Sequence, residues 1–442
     1  MAKTYDTYKD SGIAWIGEIP GEWEVLKNKY TYSFIYSGGT PTASEEKYYS
    51  DEGFAFVSIS DMSTTEYVKE TKKHLTNEGI ANKNLKVLPE GTVLFSIYAT
   101  VGAVSELLIE ATISQAILAI GLKKEIDKSY YKYNLKSMKD YIFSQANGNT
   151  QFNLNAEKVA NFTICFPPLS VQQSISSFLD TKCGEIDSLI SIQEEMISEL
   201  LAYKQSVITE AVTKGLDKKA KMKNSGVEWI GDIPEEWEIK PYKAIFYTEK
   251  GLNITKADLV EKGEPVLSYG QIHSKMNTGT KINDALLKYV PSSYIETNPE
   301  CLVQKGCFLI ADTSEDYDGC GNAIYVDKDM TLFAGYHTIV ARPIHNNGDY
   351  KYLAYLFLTD IWRQQIRSRV SGIKVYSINQ KIIRLTSVLL PPLPVQQAIA
   401  TYLDEKTTQI DSLIALKQSK IESLKEYKKS IIYEYVTGKK RV

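Results

Sequence analysis

Over most of the chain, apolar runs of four to seven residues alternate with turns rich in Gly, Pro and Asn. Runs of that length between breakers predict strands. In the first half they fall at 54–60 (FAFVSIS), 92–98 (TVLFSIY), 116–122 (AILAIGL) and 162–166 (FTICF). In the second they fall at 265–270, 307–312, 323–326, 337–343 and 387–390. The stretches 130–145 and 350–370 read as helices. Two tails have a different period. Leu179, Ile186, Leu200 and Val207 recur every seven residues, with Leu189, Met196 and Tyr203 as a parallel stripe. Leu403, Ile410, Leu424 and Ile431 repeat the seam, with Ile414 and Ile421 beside it. Gln193 and Lys417 interrupt the two seams at the same place. A heptad seam wants a partner helix, and one polar seam position can set register. Each tail is long enough for about 40 helical residues, or roughly 60 Å, more than one face of a mid-sized domain can cover. The two tails are therefore expected to pair with each other.

The tails match in sequence as well as in period. Residues 167–190 (PPLSVQQSISSFLDTKCGEIDSLI) and 391–414 (PPLPVQQAIATYLDEKTTQIDSLI) agree at 15 of 24 positions, 224 residues apart. Upstream, residues 11–24 (SGIAWIGEIPGEWE) and 225–238 (SGVEWIGDIPEEWE) agree at 10 of 14 positions, 214 residues apart. The chain is thus one unit written twice: a Trp-Pro motif, a variable block, Pro-Pro, then a helical tail. The second block carries about ten extra residues. Two copies do not make a solenoid. Similar scaffolds with different residues suggest two related tasks on two targets.

Composition narrows this picture. A chain of 442 residues with 43% hydrophobic and 11% aromatic content suits a folded protein of several domains. No run of 18 apolar residues is present, and the start, MAKTYDTYKD, has no apolar leader core. Five scattered cysteines predict a reduced, cytoplasmic setting. A net charge of −3 argues mildly against nucleic acid as a partner.

Catalytic patterns fail on inspection. Gly12 and Gly17 have phosphate-loop spacing, but Glu18 and Asp232 stand where a lysine is required. The Trp, Ile and Pro of that motif are expected to seat each unit against the long helices. Residues 234–240 (PEEWEIK) resemble a nuclease metal site, but the first copy lacks the lysine. In the acidic stretch 312–322, Tyr325 falls where a calcium loop needs a glutamate, which makes a solvated turn the expectation. The four histidines (74, 273, 337, 345) have no metal-ligand spacing. No methyltransferase Asn-Pro-Pro-aromatic motif and no serine elbow occur. The remaining signal is basic and amide-rich. Arg363, Arg367, Arg369, Lys374, Lys381 and Arg384 lie in a stretch without acids, interleaved with Gln364, Gln365, Tyr376 and Asn379. The equivalent stretch of the first half holds Gln145, Asn147, Asn149, Thr150, Gln151, Asn153 and Asn155. Arginine suits phosphates and guanine, and amides suit adenine. A solvated helix end and loop would also have this composition. A coiled-coil scaffold whose variable domains bind proteins is the reading from another class.

Taken together, the doubled Trp-Pro motif, SGGTP (37–41), GNTQFNLN before PPLSVQQ, and IDSLI in both tails resemble the specificity subunits of type I restriction–modification systems. The resemblance covers essentially the whole chain. It implies a mixed α/β fold with two α+β target-recognition domains, joined by two long helices in an antiparallel coiled coil with a pseudo-twofold repeat. The implied boundaries are 1–168 and 216–392 for the recognition domains, and 169–215 and 393–442 for the helices. It implies a non-catalytic chain that binds a bipartite, asymmetric double-stranded DNA site, one domain per half, with the helices as spacer. Two modification subunits and ATP-dependent restriction subunits are the implied partners. S-adenosylmethionine, ATP and Mg would sit on them, with no cofactor and no metal on this chain, and the partners would supply much of the positive field. By this analogy DNA contacts fall at Ser37, Gly38, Gly39, Thr40, Ser58, Ser60, Asp61, Ser96, Tyr98, Thr100, Asn149, Thr150, Gln151 and Asn153 in the first domain. In the second they fall at Ser268, Tyr269, Gln271, Thr313, Tyr336, His337, Arg363, Arg367, Arg369, Lys374 and Tyr376. The three arginines are expected to face phosphates, and Lys374 and Tyr376 to reach base edges.

Overall fold

The computed structural model describes residues 4–98, 100–138, 141–142, 154–227, 230–344, 349–372 and 374–442. Two compact units result, residues 1–194 with 418–442, and residues 195–417. In the first unit the apolar runs become central strands. Ile117–Leu122 lies between Tyr32–Ser37 and Val93–Ser96, followed outward by Val104–Leu107 and Tyr67–Val68. Val93–Ser96 is wholly buried, as is the first part of Ile117–Leu122, so the run is apolar on both faces rather than alternating. A second sheet orders Thr112–Ile113, Phe54–Val57, Lys73–Leu75 and Tyr49–Ser50.

The second unit repeats the plan. Thr338–Pro343 lies between Phe246–Lys250 and Phe308–Ala311, with Ala323–Tyr325 beyond, and a second sheet orders Lys288–Val290, Glu264–Leu267 and Phe333–Ala334. The helix expected at 350–370 is two helices, Tyr350–Phe357 and Asp360–Arg367. Thr359 interrupts them with extended backbone (φ −87°, ψ 153°), and its hydroxyl donates to the Leu356 carbonyl (2.7 Å). No glycine or proline announces this break, because a side chain closing the previous turn produces it.

The tails form helices Leu169–Lys214 and Leu393–Val436. They run antiparallel in both units. In the first, Phe178 meets Tyr435 (centroids 4.5 Å apart) and Asp187 meets Lys428. In the second, Met196 meets Lys417 and Lys204 meets Asp411. Leu179, Ile186, Val207, Leu403, Ile410, Leu424 and Ile431 are buried as expected. The companion stripe on the first helix is not: Leu189, Met196 and Tyr203 are exposed. The seam passes instead through buried Cys183 and half-buried Ile190, four residues after Leu179 and Ile186. The stripe expected from sequence lies three residues on, at the exposed border of the seam, where Met196 reaches the second helix through Lys417.

The repeated motif is a plug, as expected. Trp23 packs among Ile175, Leu179, Ile431 and Val436, and Trp237 among Val207, Ala211, Ile399 and Leu403. Tyrosines secure the same joints. Tyr130 donates to the Val436 carbonyl (3.1 Å) and Tyr352 to that of Val212 (2.9 Å), satisfying carbonyls that a helix end leaves open. Tyr133 donates to Asp180 (2.8 Å) and Tyr355 to Asp404 (2.7 Å). Burial and the adjoining carboxylate push both phenols up. Among the described residues no helix is long and apolar enough to cross a membrane.

Candidate nucleic-acid interface

In the second unit, most of the residues proposed from sequence gather where strands end. Phe308–Ala311 runs out into Asp312 and Thr313, and Thr338–Pro343 is entered through Tyr336 and His337. The Asp312 N–H donates to the His337 carbonyl (3.1 Å), closing the two ends together. After Glu264–Leu267 comes a one-turn helix, Tyr269–Ile272, whose N-cap Ser268 donates its N–H to Gln271 Oε1 (3.0 Å). The rings of Tyr269, Tyr336 and His337 stand edge-on to one another, with centroids 5.5–6.1 Å apart. A third segment arrives from far along the chain: Tyr376–Ser377 pairs with Thr313–Ser314, and the Tyr376 ring packs against Tyr317 (5.6 Å). Lys374 is exposed in the turn before it.

His273 braces this assembly. Its Nε2 lies 2.8 Å from the Thr313 carbonyl, which only accepts, so Nε2 carries the proton. Nδ1 then accepts from Asn322 Nδ2 (3.1 Å). Sequence reading set His273 aside for lack of metal spacing and read 312–322 as a solvated turn, so it missed His273, Asp312 and Tyr317. Their roles depend on partners that no local pattern announces. Among the described residues no group of three or more His, Cys, Asp or Glu is placed to hold a metal ion.

The arginines do not form the phosphate-facing row expected of them. Arg367 is 7% exposed; Nη1 donates to Asp360 (2.8 Å), Nη2 to the Asp318 carbonyl (2.7 Å), and its guanidinium lies over the Tyr317 ring. It ties the acidic loop to the helix and is not free for DNA. Arg363 is half-buried and donates to the Phe357 carbonyl (3.1 Å). Burial, and Arg367 beside it, lower it to about 10. Only Arg369 is exposed, with Nη1 on the Gln365 carbonyl (2.5 Å). A cation-rich stretch reads as a solvated face until its partners engage it, here Asp360 at the start of the same helix and the carbonyl of the remote Asp318.

The first unit supports its strand ends in a similar way. Ser58 precedes the one-turn helix Ile59–Met62 and donates its N–H to Asp61 Oδ2 (2.8 Å), while Asp61 Oδ1 accepts from the Lys72 N–H (3.3 Å). Both Asp61 oxygens are thus engaged in the fold. Ser60 is exposed. Ser96 is buried; its hydroxyl accepts from the Ala103 N–H (2.8 Å) and donates to the Thr100 carbonyl. Tyr98 and Thr100, in the turn it closes, are exposed. Ser37 is exposed, while Gly38, Gly39 and Thr40 are half-buried. A Cβ on Gly38 would stand 2.1 Å from the Ile113 carbonyl oxygen, so this glycine lets the two sheets meet. Gly251 does the same in the second unit, 2.2 Å from the Gly335 carbonyl oxygen. Asn149, Thr150, Gln151 and Asn153 lie outside the described residues.

With this geometry in place, comparison with known proteins is specific. The profile of the family described as "Type I restriction modification DNA specificity domain" matches twice, at residues 20–201 and 234–426. The type I restriction enzyme MjaVIII specificity subunit of Methanocaldococcus jannaschii is 24% identical over 432 residues, spanning 96% of this chain and 94% of that protein. The EcoR124I/EcoR124II specificity subunit of Escherichia coli is 22% identical over 238 residues, about half of each chain. A chain from a structure concerned with assembly and conformational transition of the type I R-M system superposes with a TM-score of 0.69 at 16% identity, covering 95% of this chain and 98% of that one. The HsdS subunit of Thermoanaerobacter tengcongensis superposes at 0.50 and 15% identity, over 95% and 98%.

Proposed function

Because the chain belongs to the type I restriction modification DNA specificity family, we propose that it is the sequence-reading subunit of a restriction–modification complex. Each unit contacts one half of a bipartite double-stranded DNA target. The observation that carries this reading is the doubling itself. The same core order, four strands in one sheet and three in the other, is built twice, yet its ends carry different groups: Tyr269, Thr313 and His337 in one unit, against Ile59, Tyr98 and Ala116 at the matching places. Similar scaffolds with unlike readers fit two unlike half-sites. Base contacts specify and phosphate contacts position, so the rings and hydroxyls at the strand ends are the readers, with Lys374 and Arg369 beside them.

The chain performs no chemistry of its own in this reading. S-adenosylmethionine belongs to two modification subunits, and ATP and Mg to restriction subunits. Those partners also explain how a chain of net charge −3 acts on DNA. Two copies of one partner call for two equivalent docking faces. Leu189 and Ile192 on the first helix, and Leu413 and Leu416 at the matching positions of the second, are all exposed apolar side chains.

The test is to map methylated adenines in the host genome with and without this gene. One asymmetric, two-part motif should lose its methylation when the gene is deleted. An unchanged pattern in a host whose modification subunits are active would refute the reading. So would methyl transfer by the purified chain alone.

A further inference from the structure

We infer that the His337 ring, locked by Asp312, is a hydrogen-bond acceptor that reads an exocyclic amino group, adenine N6 or cytosine N4, in the second half-site. This rests on the reading of the second unit as a DNA-binding domain, and names the chemistry by which it discriminates.

The backbone supplies the first observation. His337 has φ 54°, in the left-handed region that few residues other than glycine adopt, Asn, Asp and His most often among them. Only one other non-glycine residue among those described does so, Asn84, whose side chain suits that conformation. Strain of this kind persists where surroundings enforce it, and it concentrates at binding sites. Here it projects an imidazole from the point where two strand ends meet.

The second observation is the lock. Asp312 Oδ1 lies 3.0 Å from His337 Nδ1. A carboxylate only accepts, so Nδ1 carries the proton and donates. In the neutral ring Nε2 is then left with a lone pair, and the side chain remains 55% exposed. In the major groove an outward acceptor pairs with the amino groups of adenine or cytosine, and is repelled by guanine O6 and N7 and by thymine O4. The edge-on rings of Tyr269 and Tyr336 flank the imidazole and limit its swing.

The third observation is that the device is confined to one unit. In the first unit the matching backbone bond runs from Ile97 N–H to the Ala116 carbonyl (2.9 Å), so Ile97 and Ala116 occupy the places of Asp312 and His337. A pair needed to hold the fold would be expected in both copies. Asp312 is therefore a positioning residue, acting through His337.

The experiment uses the full chain copurified with its partner subunits, and a duplex carrying the methylated site mapped in the host. Each base of the second half-site is replaced in turn by an analogue lacking the exocyclic amino group: purine for adenine, 2-pyrimidinone for cytosine. At one position, removing the amino group should weaken wild-type binding roughly three- to tenfold. His337→Gly relieves the backbone strain and removes the ring, and should be indifferent to that change. Asp312→Asn can donate to Nδ1 and so move the ring proton to Nε2, and should shift preference at that position towards guanine or thymine. Asp312→Ala should lose discrimination there, with no further loss when combined with His337→Gly. Unchanged melting temperatures and an unchanged first half-site accompany these results. If no position shows coupling to His337, or if the coupling is to a base acceptor, the inference is overturned. If the duplex is not bound by the wild-type complex at all, it is the function proposed above that fails.

Discussion

Lys204 Nζ lies 2.7 Å from Asp411 Oδ1, and Lys428 Nζ lies 2.7 Å from Asp187 Oδ1, the same contact written twice at positions 224 residues apart. Each lysine is about one-quarter exposed and each aspartate about half, so each pair contributes at most about 1 kcal/mol. Their value is directional: both bonds form only in one antiparallel register. Asp411→Lys should destabilise the second unit by roughly 0.5–1 kcal/mol, and adding Lys204→Asp should restore most of that loss. Urea unfolding of the two variants checks the register.

The glycines where the sheets meet make a sharper prediction. Gly38→Ala and Gly251→Ala drive a methyl into a carbonyl oxygen, and each should cost roughly 1–3 kcal/mol. The loss should be local. Gly38→Ala should weaken recognition of the first half-site and leave the second, and Gly251→Ala the reverse. Ser37→Ala, at an exposed neighbour, should leave stability unchanged. Thermal unfolding with half-site substitution series separates these outcomes.

Arg367 and Arg369 lie two residues apart and should behave differently. Arg367→Ala breaks contacts to Asp360 and Asp318 and should lower stability by about 1–3 kcal/mol, with the salt dependence of DNA binding unchanged. Arg369→Ala should leave stability alone and reduce the slope of log affinity against log salt by about one unit. Binding titrations at several salt concentrations, with melting curves, decide between them.

Helix length should set the gap between half-sites. Inserting one heptad after Glu194 and another after Lys417, where the chain passes from one compact unit to the other, adds about 10 Å. Both half-site sequences should persist while the gap lengthens by roughly three base pairs, or binding should be lost through altered helical phase. Methylated-adenine mapping reads the gap directly. An unchanged site with an unchanged gap would remove the spacer role.

The exposed apolar pairs on the helices predict stoichiometry. Leu189→Asp with Ile192→Asp should reduce the bound modification subunits from two to one. Leu413→Asp with Leu416→Asp should do the same, and all four changes should leave none. Native mass spectrometry counts the subunits, and circular dichroism confirms that the helices persist.

What the sequence determined by itself was whatever is periodic or duplicated. The heptads at Leu179 and Leu403, the strands at 93–96 and 117–122, and the plugs at Trp23 and Trp237 were legible because burial imposes a period or a composition on neighbours in the chain. The Pro-Pro-bounded repeat, with the family resemblance it carries, was legible because two copies can be compared without any structure. Tertiary structure decided what depends on a distant partner. Leu189 and Tyr203 share the heptad spacing but face solvent, and Met196 reaches the second helix only at Lys417, because that helix lies on the side of Cys183 and Ile190. Arg367 lies in a basic run, yet the remote Asp318 folds onto it while Asp360 of its own helix takes its other nitrogen. Asp61 and Ser96 stand among the residues predicted to contact DNA, yet their polar atoms close turns. Asp312 read as part of a solvated acidic turn, and only folding places it against His337. Periodicity records which face of an element is apolar. It carries no information about which remote side chain will arrive to satisfy a charge or orient a ring, and those arrivals make the site.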